Sequence, residues 1–380
     1  MNASASCLRA GLLAVALTAL GGTATAVGQT PASPGVTAFS GETAATAFLG
    51  VIPDDAVTTS GSRVPAANRP VSIGSWSEFT SRFGDFQSPS RHSGPADASA
   101  GRMLRHAVHG FFANGGTRAW IVRVATASDL VDLRRSLGRL SSVDIDLVVV
   151  PGAVSTAQQD AILDHVEAAA DRVALLDGQP SPRRVSATEV RGTRRNSDRA
   201  VLLFPWITVD DPLSRGFVLQ PPSGHVAGVI ARNDRNRGIH TAPANLPVSD
   251  AVAPERSLSG GDVSGLASNG IIPLLDGSGA SGVRTWGART LGGDANGEFR
   301  YVNVRRTVDQ VRKSVMAGDP TNCQVALAEA RSLLDQMWRR AALQGATPAD
   351  AWFARCDSQT LQLGLALIRP TEFVPLRISF

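Results

Sequence analysis

The chain has 380 residues, 43% of them hydrophobic, with 37 basic against 33 acidic residues and a mean hydropathy of zero. This excludes a disordered chain and leaves room for two or three domains around sizeable cores. The net charge of +4 is small for this length and no basic tail exists, so Arg191-Gly192-Thr193-Arg194-Arg195 reads as a solvated loop rather than a nucleic-acid contact.

At the N-terminus, Arg9 precedes an apolar run from Ala10 to Leu20, and Ala24-Thr25-Ala26 has the small residues of a cleavage site. A secretory signal and a disordered Ala/Thr-rich leader over 1–26 both fit. The apolar run is too short to span a membrane. Ser33 to Glu42 reads as extended, because Pro34 biases Ser33 away from the helical region. On the residues alone this is an ordinary first strand.

Strands are expected at Ala47–Ile52 and Asn68–Ile73, then a short helix capped by Ser75 and stopped by Gly84. Asp85 to Gly101 is polar and reads as a surface loop. Met103, Leu104, Ala107, Val108, Phe111 and Phe112 recur at helical spacing, Asn114-Gly115-Gly116 ends that helix, and Ala119–Val124 is a strand. His106 and His109 share a helix face, but without a third ligand nearby they make a poor metal site. Helices over Leu130–Leu140 and Thr156–Ala170 alternate with strands at Ile145–Val150 and Arg172–Leu176, which implies βαβ units. Gln179 to Arg199 is mostly loop, with room for one helical turn.

Ala200–Phe204 has the composition of a buried strand, ended by Pro205. Asp210–Leu213 is a turn, Phe217–Leu219 a returning strand, and His225–Arg232 a helix with Val226, Val229 and Ile230 on one face. Gly260–Gly265 suggests a flexible link, so the domain boundary is expected at 260/261. Beyond it, Ile271–Leu275 and Val283–Gly287 read as strands of the last domain. Helices are expected at Tyr301–Met316 and Asn322–Gln344, the latter with Val325, Ala328, Leu333, Met337, Trp338 and Ala341 near one face. Trp286, Tyr301, Trp338 and Trp352 are its candidate core. Cys7, Cys323 and Cys356 fit no zinc or redox spacing. The last two can pair in an oxidising compartment, and buried free thiols are the favoured reading. Val374, Leu376, Ile378 and Phe380 alternate as in a strand with one buried face, paired either within its own domain or with a neighbour.

Three long strings carry a resemblance. They are FPWITVDDPL from Phe204, PPSGHVAGVIARNDRNRGIHTAPAN from Pro221, and Val283–Leu291 with Arg300–Arg306. Together they resemble the tail sheath proteins of contractile phage tails and related injection systems, over roughly Ser33 to Phe380. The motif residues are Pro205, Trp206, Pro222, Gly224, His225, Trp286, Gly287, Arg289, Tyr301, Asn303 and Arg305.

The resemblance implies a mixed α/β and α+β fold. A βαβ-type sheath domain over 44–260 would be followed by a smaller α+β domain over 261–380. It also implies linking arms, over 27–43 with Pro34, Gly35, Val36 and Phe39, and at the C-terminus with Phe373, Val374, Leu376, Ile378 and Phe380. It implies a helical homopolymer around an inner tube protein, with baseplate and tail-terminator partners, assembled in the bacterial cytoplasm. The signal-like leader leaves export open. No cofactor, metal, nucleic acid, membrane span or catalytic residue is expected. In such a polymer the extended form is held kinetically, and contraction repacks subunits as rigid bodies.

The chain departs from the family in three places. Gly318–Asn322 replaces a longer strand-rich stretch, the segment after Asp357 is short, and Pro375 stands where an apolar donor residue is favoured. These departures keep open a relative that folds but does not contract. A rival from another class is an exported hydrolase or binding protein using Ser223, His225 and Asp210 or Asp211. Those residues are too close in sequence for a usual triad.

Overall fold

A computed structural model describes residues 43–86, 94–277, 282–367 and 374–379. The leader, the arm residues Pro34, Gly35, Val36 and Phe39, and the terminal Phe373 and Phe380 lie outside them.

Strands and helices alternate from the start. β1 (Thr46–Val51), β2 (Val71–Ile73) and α1 (Trp76–Phe83) come first. The Ser75 hydroxyl accepts the Glu78 N–H at one end of α1, and Gly84 adopts φ 85° at the other. α2 (Pro95–Ala113) begins inside the expected loop, because Pro95 has no N–H to lose in a first turn. After β3 (Ala119–Val124), the helix expected over 130–140 is broken in two. Thr126 and Asp129 cap a 3-10 turn at Ala127–Leu130, and α3 (Arg134–Gly138) is separate. Next come β4 (Leu147–Val149), α4 (Thr156–Ala169), β5 (Val173–Asp177) and the single turn α5 (Ala187–Val190).

β6 (Ala200–Phe204) ends at a cis Phe204–Pro205 bond. The hairpin of β7 (Ile207–Asp211) and β8 (Gly216–Gln220) leads into α6 (Ser223–Arg237). β9 (Pro247–Val248) and β10 (Ala253–Pro254) are short. The glycines expected to form a flexible link are instead helical, in α7 (Gly260–Ser268). Ser259 and Asp262 make a reciprocal cap there, which offsets the low helix propensity of glycine. β11 (Ile271–Asp276), β12 (Val283–Thr285), α8 (Val302–Met316), α9 (Cys323–Arg339), α10 (Pro348–Ala351), β13 (Trp352–Asp357), β14 (Thr360–Leu365) and β15 (Val374–Ser379) complete the order.

A nine-stranded sheet runs β2-β3-β1-β4-β5-β6-β11-β12-β9. Its centre, from β3 to β11, is parallel, while β2, β12 and β9 pair antiparallel at the edges. Both faces are covered, which is why β6 reads as a continuous apolar run rather than an alternating one. Val201 and Leu203 face one core with Leu104, Phe111, Val226 and Ile230 of α2 and α6. Ala200, Leu202 and Phe204 face the other, with Leu137, Ile162, Val166 and Leu266. β11 lies parallel to β6, with Ile272 opposite Leu203. β11 and β12 therefore belong to the large sheet, and the boundary expected at 260/261 falls inside one continuous core.

A third core begins with α8. Val304, Val308, Val311 and Val315 pack against α9 and the sheet β13-β14-β15. The buried face of α9 is Cys323, Ala326, Leu327, Ala330, Leu334 and Met337. It is rotated from the expected face, and Val325 is exposed. Tyr301, Trp338 and Trp352 pack on this core, but Trp286 is 46% exposed and takes no part in it. Cys323 and Cys356 are disulfide-bonded rather than free, joining the start of α9 to β13 with Cα atoms 6.0 Å apart. No helix among the described residues is long and apolar enough to cross a membrane.

Candidate assembly site

The string beginning at Pro222 owes its residues to close packing of α6 on α2. A Cβ added at Gly224 would lie 2.4 Å from the Ala107 carbonyl oxygen, and one at Gly228 2.3 Å from that of Phe111. His225 is wholly buried and fills the space beside Gly110, where a Cβ would meet its ring at 2.4 Å. Pro222 precedes the first turn of α6, and Asp177 at the end of β5 caps that turn. The Ser223 N–H donates to Oδ1 of Asp177 at 3.0 Å and the Ser223 hydroxyl to Oδ2 at 2.8 Å. Burial pushes the Asp177 carboxyl up to about 6, although its hydrogen bonds to Gly152 and Ser223 oppose the shift.

The residues of the hydrolase reading are not brought together. Ser223 is committed to Asp177. The His225 ring has its Nε2 3.8 Å from Asp250, whose carboxylate is bonded to His109 at 2.8 Å. Burial raises the Asp250 carboxyl, but the hydrogen bond from His109 and the nearby His109 and His225 rings outweigh it and hold it well below the carboxylate range. Asp211 accepts from the Leu213 N–H and the Ser214 hydroxyl in the hairpin turn, while Asp210 is exposed. His106 packs its ring 4.6 Å from that of Phe86, and burial, with His225 nearby, lowers it to about 4.

Among the remaining motif residues, Asn303 and Arg305 tie α8 to the large-sheet region. Pro205 turns the chain so that Trp206 donates its Nε1–H to the Gly178 carbonyl at 2.8 Å. Gly287 adopts φ 104°, a conformation that side chains resist. Arg289 bridges to Tyr301 and pairs with Asp294 at 3.0 Å. Asn303 donates to the His240 carbonyl at 2.8 Å. Arg305 lies over the Phe299 ring at 4.0 Å and bonds Asp309 at 2.7 Å and Asp198 at 3.2 Å.

Sequence reasoning missed the other ion pairs of this network, several of them buried. Arg306 donates to both carboxylate oxygens of Asp234, at 3.2 and 2.6 Å, and to the Thr43 carbonyl. The Thr43 hydroxyl returns to Asp234 at 2.9 Å. Arg199 forks onto Asp309 at 2.8 and 3.2 Å. Lys313 reaches Asp144 and Asp146, each at 3.0 Å, while Asp146 accepts the Ala45 N–H at 3.0 Å. Only Arg305 and Asp309, four apart on one helix, were visible as a pair in the sequence.

At the C-terminal edge, β15 pairs antiparallel with the chain's own β14. Val374 stands opposite Leu365, Leu376 opposite Leu363, Ile378 opposite Leu361, and Pro375 opposite Gly364. Leu361, Leu363 and Leu365 are buried, so the alternation of the last strand matches the apolar positions of its neighbour.

Comparison with known proteins bears on this arrangement. Residues 124–291 match the family model described as the phage tail sheath protein central domain. Over that segment the chain is similar to the tail sheath proteins. It is 33% identical over 127 residues to the tail sheath protein of Burkholderia phage BcepMu, covering 32% of this chain and 26% of that one. It is 28% identical over 182 residues to a putative prophage major tail sheath protein of Pseudomonas aeruginosa, covering 45% and 44%. These matches span less than half of either sheath protein's length. The fold also matches the anti-feeding prophage helical sheath in its contracted state. The TM-score is 0.66 at 21% identity, covering 95% of this chain and 99% of that one.

Proposed function

We propose that the chain is the repeating structural subunit of a contractile sheath, polymerising helically around an inner tube and contracting to drive it through a target envelope. The observation that carries this reading is the likeness of fold along nearly the whole chain to a helical sheath in its contracted state. Head-to-tail contacts that do not close build such a filament. The buried ion-pair network between α8, α6 and β4 suits a subunit that repacks as a rigid body. The work comes from interfaces gained on contraction, a few kcal/mol per subunit multiplied along the polymer. The segment at 27–43 and the last strand link neighbours, with β15 leaving β14 for the equivalent position on an adjacent copy. An inner tube and a baseplate are the partners. Assembly takes place in the bacterial cytoplasm.

Negative-stain electron microscopy of the chain from Val27 onward, beside a form lacking Glu372–Phe380, tests this. Hollow tubes from the first and none from the second are expected. Tubes from both would remove the last strand from the linkage, and monomers from both would count against self-assembly.

One observation favours a second reading. Only Ala317–Asn322 joins α8 to α9, where the resemblance leads to expect a longer strand-rich stretch. A relative so shortened would form a sheath lattice that does not contract. Imaging particles before and after mild denaturant separates the two, since a contracting sheath shows two lattices.

A further inference from the structure

The loop between β5 and β6 builds a cleft of about 630 Å³ that the assembly reading does not use. Its walls include Thr156, Gln179, Arg183, Glu189, Arg191 and Arg194. Three guanidinium groups thus border one depression. Arg183 and Arg194 are exposed, and no carboxylate pairs with either among the described residues. Arg191 is half-buried and held in place. Its Nε–H donates to the Thr193 carbonyl at 3.2 Å, and its Nη2 donates to the Arg195 carbonyl and, at 3.1 Å, to Asn196 Oδ1. Those acceptors are neutral and leave Nη1 unused.

The contrast with Arg195 is informative. Four residues on from Arg191, Arg195 is neutralised by Asp164 at 2.6 Å and Glu167 at 2.5 Å. The acidic wall residue of the cleft, Glu189, turns one oxygen to the Arg184 N–H at 2.8 Å. Thr156 is the first residue of the fourteen-residue helix α4, so the positive end of that helix adds to the potential. Burial alone lowers the Arg191 guanidinium from its ordinary value, and an anion in the cleft would reverse that effect.

We propose that this cleft is an anion site, in which Arg191 serves as a fixed anchor and Arg183 and Arg194 close on the carboxylate or phosphate oxygens of a ligand. A fixed guanidinium beside two exposed ones suits a ligand bearing two or more anionic oxygens, because each fork can take a pair. Carboxylates reach such a site on an acidic protein segment, and phosphates on a small molecule.

The test titrates the full-length chain with fluorescein-labelled hexaglutamate by polarisation, and with pyrophosphate by calorimetry, at low and moderate salt. The triple variant Arg183→Ser, Arg191→Gln, Arg194→Ser is compared with Arg63→Ser, Arg69→Ser, Arg339→Ser, which removes the same charge from exposed sites elsewhere. Circular dichroism checks the fold. The double variant Arg183→Ser, Arg194→Ser keeps the anchor, should loss of Arg191 disturb the loop. Wild-type binding that weakens about tenfold or more in the triple variant, and stays within about twofold in the control, is expected from losing charge-assisted hydrogen bonds. Hexaglutamate binding without pyrophosphate binding assigns a protein segment, and the reverse assigns a phosphate ligand. Binding of neither probe, or equal weakening in the triple variant and the control, overturns the proposal. None of these readouts depends on sheath assembly.

Discussion

Asp234→Ala should be among the most damaging single substitutions in the chain. Asp234 and Arg306 each have 3% side-chain exposure and approach to 2.6 Å. Burial alone would lower the Arg306 guanidinium. Attraction to Asp234, with smaller contributions from Asp146 and Asp309, outweighs it and leaves the group above its ordinary value. An arginine in this position cannot discharge, so removing the carboxylate strands a cation in the interior and leaves the Thr43 hydroxyl without its acceptor. Breaking a buried pair from one side costs about 3–5 kcal/mol. Most of that is the penalty for the stranded charge rather than the value of the pair. Asp234→Leu combined with Arg306→Met removes both charges and should recover most of the loss. Urea unfolding at neutral pH, followed by tryptophan fluorescence and circular dichroism, gives the free energies. A loss below about 1 kcal/mol for Asp234→Ala, or a double variant no better than the single, would refute the reasoning.

Three further predictions follow from the packing. Gly228→Ala should cost about 1–3 kcal/mol and Gly228→Leu should fail to fold, because the first added carbon already meets the Phe111 carbonyl at 2.3 Å; thermal melts check both. Reduction of the Cys323–Cys356 bond, 33 residues apart, should lower stability by about 4 kcal/mol. Thiol titration of the unfolded chain should then find one free thiol before reduction and three after, matching the three cysteines. Asp177, raised from 3.8 to about 6, binds its proton more tightly in the folded state. Its contribution is therefore full below about pH 4 and is lost as pH rises through 6, to a total of about 3 kcal/mol. Relative to Asp177→Asn, the wild type should lose stability over that window and no further above it, as read from melting temperatures against pH.

Much of the fold was legible because local physics repeats along the chain. The apolar run Ala200–Phe204 had the length and composition of a buried strand, and Ser75 with Gly84 marked both ends of α1 within one turn. The strings around Pro205, Gly224 and Tyr301 pointed to the sheath family, although their composition alone said nothing of why those residues are needed.

What the tertiary structure decided lies in contacts between distant parts of the chain. Glycines at 260 and 261 read as a flexible link, and only the Ser259–Asp262 cap and the packing of Leu266 make them helical. Trp286 looked like core, yet the chain turns at Gly287 and leaves it exposed. The buried face of α9 depends on where α8 and β14 lie, which no periodicity within α9 can state. Strands β11 and β12 look the same in either domain, and their place is set by β11 pairing with β6, some 70 residues earlier, and β12 pairing with β11. Ser223 and His225, two apart in sequence, were the residues of the hydrolase reading, but the fold commits the Ser223 hydroxyl to Asp177 and leaves the buried His225 ring 3.8 Å from Asp250. A sequence states which groups must find partners, namely buried arginines, aspartates and glycines at close approaches. The three-dimensional path of the backbone determines which partners they find, since each choice is stabilised by groups tens to hundreds of residues away.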